Sequence, residues 1–170
     1  MSIADNAVAY LREQHLLLTT AESCTAGKIV TMLSEVEGSG SFIECGYVVY
    51  SPQAKQRLLH VSPHTIETFN LTSVQVAGEM ALGALQDSTA NVAIATTGIL
   101  GPEDVDGIPA GTICFAWAFQ CQGVKRLFSE ERRFFGTRCE VQTQATEYAL
   151  SQLSHFHRRA RQGEALDVDE

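Results

Sequence analysis

Four short segments carry the side chains best suited to chemistry. Thr20-Ala-Glu-Ser-Cys-Thr-Ala-Gly27 packs hydroxyls and small residues between an apolar run and a helix. Peptide N–H groups at a helix start, with the Ser23 and Thr25 hydroxyls beside them, suit an anionic or amide-bearing ligand. The same two hydroxyls also fit a plain helix-capping role. Tyr50-Ser-Pro-Gln-Ala-Lys55 holds one of only three lysines in the chain. A partly desolvated lysine beside a hydroxyl loses its proton and works as a general base, the Ser–Lys form of nucleophile activation. Lowering a lysine from about 10.4 to near 7 costs roughly 4–5 kcal/mol, so such a site has to be dry. A turn with a solvated lysine is the plainer alternative.

Thr96-Thr-Gly-Ile-Leu-Gly-Pro102 places two hydroxyls and two glycines, Gly98 and Gly101, directly after a β-branched run. Successive N–H groups there suit an anion nest or an oxyanion-holding loop, or else a glycine-permitted turn. No G-x-G-x-x-G follows any predicted strand, which excludes a dinucleotide fingerprint. Arg138 opens the last predicted helix, where a cation opposes the dipole. A phosphate or carboxylate partner explains it, as does an exposed ion pair with Glu140 or Glu131. His155 and His157 lie two apart, so a helix puts them on different faces and no metal pair forms.

These segments need a scaffold, and the patterning supplies one. A short helix is expected over Ser2 to Gln14, then a buried strand at Leu16–Thr20. A helix follows to about Ser34, capped by Ser23 or Thr25. Phe42 to Tyr50 reads as a second strand, Ser73 to Asp87 as a helix, and Asn91 to Thr97 as a third strand. Gly98 to Ala110 reads as a loop. Thr112 to Gln120 and Val124 to Phe135 form a hairpin, and Val141 through Phe156 lie on one long terminal helix. The fold class is α/β: a single three-layer domain with a mixed, mostly parallel sheet and helices on both faces. Ligands bind such sheets outside the carboxyl ends of the strands, where Thr20–Gly27, Tyr50–Lys55 and Thr97–Pro102 fall.

Composition narrows the function classes. The chain has 170 residues, 45% apolar and 19% charged, which excludes a disordered chain. Twelve Lys and Arg against 20 Asp and Glu give a net charge of −8, which excludes nucleic acid as a partner. The basic run His155–Arg161 reads as a solvated helix end. No stretch approaches the ~20 apolar residues of a membrane span, and the first residues lack the basic region and apolar block of a signal peptide. The cysteines at 24, 45, 114, 121 and 139 are odd in number and contain no C-x-x-C, so reduced thiols in a cytoplasmic protein are expected and a zinc site is not. Residues 1–160 are read as the domain and 161–170 as a flexible acidic tail.

The segments also occur in a familiar order: TAESCTAG at 20–27, G-x-V-x-Y-S-x-x-A-K at 46–55, TGILGP at 97–102, P-A-G-T at 109–112 and G-x-R at 136–138. Over nearly the whole chain this resembles the CinA C-terminal domain family, the stand-alone nicotinamide-nucleotide amidohydrolases. The resemblance implies a compact α/β domain that self-associates as a homodimer or higher homo-oligomer and needs no metal or organic cofactor. It implies hydrolysis of the carboxamide of nicotinamide mononucleotide to nicotinate mononucleotide and ammonia. By the same resemblance Lys55 is the catalytic lysine, Tyr50 the active-site tyrosine, Ser23 the serine of the TAESCT block, Thr97 the hydroxyl before G-I-x-G-P, and Arg138 a phosphate partner. Thr25, Gly27, Ser39, Ser41, Gly98 and Gly101 join the ligand contacts.

The departures bear on activity. The family's nucleophilic serine is the second Ser of a G-S-S stretch, and here Gly38-Ser39-Gly40-Ser41 puts Gly40 at that position. Ser39 and Ser41 flank it, but a one-residue move displaces a nucleophile by about 3.5 Å. Leu100 replaces the usual Ala, Ile108 the usual Lys, and Gln142 a frequent Arg; the last two lower positive charge around an anionic ligand. The expectation is weak or absent amidohydrolase activity using Ser23, Ser39, Ser41 or a Lys55-activated water. The alternatives are a non-catalytic paralogue that binds a pyridine nucleotide or similar anion as a sensor or subunit, and a ligand-free oligomeric scaffold.

Overall fold

Along strand β4 (Thr112–Cys121) large and small side chains alternate, and this sets the layers. Ile113, Phe115, Trp117 and Phe119 enter one apolar cluster, while Cys114, Ala116 and Ala118 enter another on the opposite face. Strand β3 (Val92–Gly98) repeats the pattern with Val92 and Ile94 on the first face and Ala93 and Ala95 on the second. Period-two alternation in a strand buried on both sides yields two cores.

The computed structural model describes residues 1–164. Strand β1 (Leu18–Glu22), strand β2 (Ile43–Val48), β3, β4 and strand β5 (Val124–Arg133) form one sheet in the order β2-β1-β3-β4-β5. The β1–β2 and β1–β3 ladders are parallel, and the β3–β4 and β4–β5 ladders are antiparallel. The expected mixed sheet is present, with its parallel pairings confined to three strands. Helices α1 (Ile3–Glu13), α2 (Lys28–Ser34), α6 (Arg138–Ser151) and α7 (Leu153–Arg161) cover the aromatic face. Helices α3 (Pro52–Leu59), α4 (Pro63–Phe69) and α5 (Val74–Asp87) cover the alanine face.

Several boundaries differ from the expectation. β1 runs two residues further, to Glu22, so the hydroxyl-rich segment begins inside the sheet. The terminal helix is two helices, with Gln152 capping the first and opening the second. α3 and α4 replace what reads as a turn after Tyr50; each has a serine N-cap followed by proline, Ser51-Pro52 and Ser62-Pro63. Of the expected tail, Arg161 ends α7 and Glu164 pairs with Arg159 at 2.6 Å; residues 165–170 lie outside the described residues.

Small residues let α5 sit close to its neighbours. A Cβ at Gly83 would lie 2.0 Å from the Leu59 carbonyl oxygen, so α3 reaches its place only against a glycine. That contact fixes the helix that carries Lys55.

Candidate functional site

The loop after β1 is held from below by one carboxylate. Glu22 is fully buried. Its Oε1 accepts from the Thr25 hydroxyl at 2.7 Å and the Ile29 N–H at 2.9 Å; its Oε2 accepts from the Thr20 hydroxyl at 3.1 Å and the Val30 N–H at 3.4 Å. Gly27, the N-cap of α2 at φ 89°, offers no side chain, so Glu22 takes the orphan N–H groups of the first turn. The Thr25 proton goes to Glu22, so the Thr96 hydroxyl donates to Thr25 across 2.8 Å. The capping role expected for Ser23 and Thr25 is therefore overturned: Thr25 faces inward, and Ser23 turns the other way.

Ser23 turns to Lys55. The Lys55 side chain is 1% exposed, and Nζ lies 2.9 Å from Ser23 Oγ, 2.9 Å from the Val49 carbonyl and 3.1 Å from the Tyr50 carbonyl. All three partners are neutral, and the two ion pairs among the described residues, Arg132–Glu130 and Arg159–Glu164, lie elsewhere. Burial without a counter-ion lowers the lysine to about 8. The solvated-turn alternative is thereby excluded. An ammonium spends its three N–H bonds on these three acceptors. The neutral amine keeps two for the carbonyls and presents its lone pair to the Ser23 hydroxyl.

Both side chains border a cavity of about 510 Å³ at the carboxyl ends of β1, β2 and β3. Tyr50, 59% exposed, forms part of its rim. Thr97, Gly98 and Gly101 border it, with the Thr97 hydroxyl donating to the Leu71 carbonyl at 3.1 Å. Arg138 closes one side, one guanidinium N–H donating to the Gly101 carbonyl at 2.6 Å; neither Glu140 nor Glu131 pairs with it. Thr137 and Glu140 form the capping box of α6 instead. Among the described residues the peptide N–H groups of Cys24, Leu100 and Gly101 have no protein acceptor, and all three residues border the cavity.

Four predicted contacts do not reach it: Thr25, Gly27, Ser39 and Ser41. Thr25 serves Glu22. Gly27 packs against β2, where an added Cβ would meet Val48 at 3.4 Å. Ser39 and Ser41, with Gly40 between them, lie in the 3-10 turn before β2, at the opposite end of the sheet. The five steps from Ile43 to Val48 alone span ~17 Å, so within one chain no side chain at 39–41 touches Lys55. Gln142 does not face a ligand either. Its amide donates to the Cys24 carbonyl at 3.0 Å and pins the loop.

Sequence reasoning gave no role to Glu22 or Thr96, although both lie in segments it singled out, and it missed the rim residues Asn70, Thr72, Glu103 and Asp106. The available signal for Glu22 is an acid two residues past an apolar, β-branched run, where a strand that runs on would bury it and demand donors for it. The rim residues carry none. Among the described residues no group of three His, Cys, Asp or Glu side chains is arranged to hold a metal, and no helix is long and apolar enough to cross a membrane.

Comparison with known proteins places this arrangement. The family model for the CinA C-terminal domain matches residues 1–157. Protein YdeJ of Escherichia coli is 42% identical over 81% of this chain and 78% of its own length. The nicotinamide-nucleotide amidohydrolase PncC of the same organism is 35% identical over 90% of this chain and 92% of its own. A crystal structure of a competence-damaged protein (CinA) superfamily member from Escherichia coli superposes with a TM-score of 0.84 at 37% identity, covering 91% of this chain and 88% of that one. The competence damage-inducible protein A from Klebsiella pneumoniae gives 0.85 at 33% identity, covering 92% and 95%.

Proposed function

The chain belongs to the CinA C-terminal domain family, and on that premise we propose that it hydrolyses the carboxamide of a nicotinamide nucleotide, with Ser23 as nucleophile and Lys55 as base. The observation that carries this reading is the 2.9 Å contact between a buried, uncompensated lysine and a serine that borders the cavity. Neutral Lys55 takes the Ser23 proton as Oγ attacks the carboxamide carbon. The N–H groups of Cys24, Leu100 and Gly101 are the available donors for the oxyanion. The C–N bond then breaks, the lysine proton goes to the departing amine, and ammonia leaves. A water deprotonated by Lys55 attacks the acyl-serine and releases the carboxylate. Water is the only co-reactant, and the ribose phosphate falls to Arg138.

This reading does not require a nucleophile at position 40. A serine there reaches the cavity only from a neighbouring copy, which links Gly40 to the proposed homo-oligomeric state. The unpaired edge of β2 and the exposed Val48 and Tyr50 beside it support self-association. Five free cysteines support a reducing, cytoplasmic setting.

The test is ammonia release from millimolar nicotinamide mononucleotide. Wild type is expected to turn over, and Ser23→Ala to lose about 10³-fold or more. Turnover unchanged in Ser23→Ala removes it as nucleophile. No turnover by wild type, together with saturable binding of the same nucleotide, establishes a binding protein instead.

A further inference from the structure

A second cavity, of about 610 Å³, opens at the other end of the sheet. It lies between the start of β3, the β4–β5 hairpin and the end of α7. Its charged lining is Arg126 and Arg161 against Glu13 alone, in a chain whose net charge is −8. Both guanidinium groups act on the same spot: burial raises the Cys121 thiol, and the charges of Arg126 and Arg161 pull it back. Among the described residues Arg126 has no hydrogen-bond or ion-pair partner. Arg161 spends one N–H on Gln14 Oε1 at 2.9 Å. Two guanidinium forks thus share one cleft with no carboxylate pairing either, and planar forks of this kind match phosphate geometry.

The floor of the cleft supplies an independent observation. His157 is 5% exposed, and its Nδ1 is joined to the Tyr10 hydroxyl at 2.9 Å. No protein group among the described residues bonds its Nε2. Among the described residues no fully buried side-chain nitrogen or oxygen lacks a partner, so Nε2 keeps some exposure, on a ring that borders the cleft. Burial, with Arg161 and Arg158 nearby, lowers its pKa and so favours the neutral ring. The Nε2–H tautomer, in which the Tyr10 hydroxyl donates to Nδ1, offers a ring proton to the cleft. An edge-on contact with the Tyr10 ring and a tilted contact with Phe119 hold the ring in place. The wall is fixed as well: Asn91 Oδ1 accepts from the Leu17 N–H at 2.8 Å, and its amide donates to the His15 carbonyl at 3.3 Å.

We propose that this cleft is a second ligand site that takes the phosphate group of a small molecule between Arg126 and Arg161, over His157 Nε2–H. It is separate from the Lys55 cavity, with the length of the sheet between them.

The experiment is a nitrogen-15 NMR titration of the full chain, following the His157 ring. Inorganic phosphate and adenosine monophosphate are added separately at ionic strength held constant with sodium chloride. A saturable shift of Nε2 is expected, weakened about tenfold or more in Arg126→Gln/Arg161→Gln and retained in Lys55→Met. Equal affinities for the two probes assign the site to phosphate alone. Tighter adenosine monophosphate adds contacts from the cleft walls, and either result supports the proposal. A shift that grows without saturating, that persists unchanged in the double arginine variant, or that disappears in Lys55→Met overturns it. Arg161 is exposed and Arg126 half-buried, and neither belongs to an apolar core, so their replacement leaves the cores intact, and thermal melting checks this.

Discussion

Glu22 and Lys55 are both buried ionisable side chains, and both act on the loop that follows β1. The carboxylate receives four hydrogen bonds, two from peptide N–H groups of α2 and two from threonines. Its charge is spread over donors that have nowhere else to go, so it fixes the chain. The lysine meets only neutral oxygens and borders a cavity, so its proton is easily given up. Saturation makes a buried charge structural; incomplete compensation makes it reactive.

Replacing the lysine should separate the two roles most sharply. Lys55→Met is expected to lower the proposed turnover by about 10³-fold, or ~4 kcal/mol of transition-state stabilisation. In wild type the rate rises with pH and levels off above about 8, as the amine becomes neutral. The same shift acts on stability. The folded chain holds this proton more weakly than the unfolded one, so stability contributed by Lys55 rises with pH between about 8 and the ordinary value of 10.5. Below that window the protonated group costs the fold on the order of 3 kcal/mol. Cys24 and Cys114, both pushed up to about 12, act in the opposite direction, so the quantity to measure is the difference between wild type and Lys55→Met. A difference flat from pH 7 to 11 shows that Lys55 is not desolvated.

Glu22→Gln tests the other half. The amide retains one acceptor but turns an NH₂ toward donors, and a loss of about 2 kcal/mol is expected by denaturant unfolding. Any fall in turnover should follow from loop disorder, with the pH midpoint near 8 unmoved. A shifted midpoint would mean that Glu22 feels the lysine directly. The smallest effect is expected at Gln142→Ala, which frees the Cys24 carbonyl and should cost about 1 kcal/mol with a few-fold loss of turnover. Equal turnover in wild type and Gln142→Ala would show that the loop is held by Glu22 alone.

The elements themselves are largely legible in the residues. The run Asn91–Thr97 reads as a buried strand, Thr112–Gln120 as one arm of a hairpin, and three segments at strand ends mark the cavity. The helix that carries Lys55 is not legible, because Ser51-Pro52 fits a turn as well as a helix start and the deciding contact is remote. α3 is seated by Leu59 against Gly83, 24 positions along the chain. The capping role of Thr25 fails for a similar reason. A threonine near a helix start is a cap by local rules, but a buried glutamate within reach takes its proton instead.

By itself the sequence determined what propagates locally: element order, the two-sided burial of the strands, the polar loops and the family motifs they carry. Those follow from periodicity and composition over a few residues. The tertiary structure decided which hydroxyl meets which charge. Ser23 reaches Lys55 across 32 positions, Thr25 reaches Thr96 across 71, and Gln142 reaches Cys24 across 118. It also decided that residues 39–41 lie a sheet's length from that meeting point. Dryness and distance are properties of packing between segments, and no local pattern encodes them.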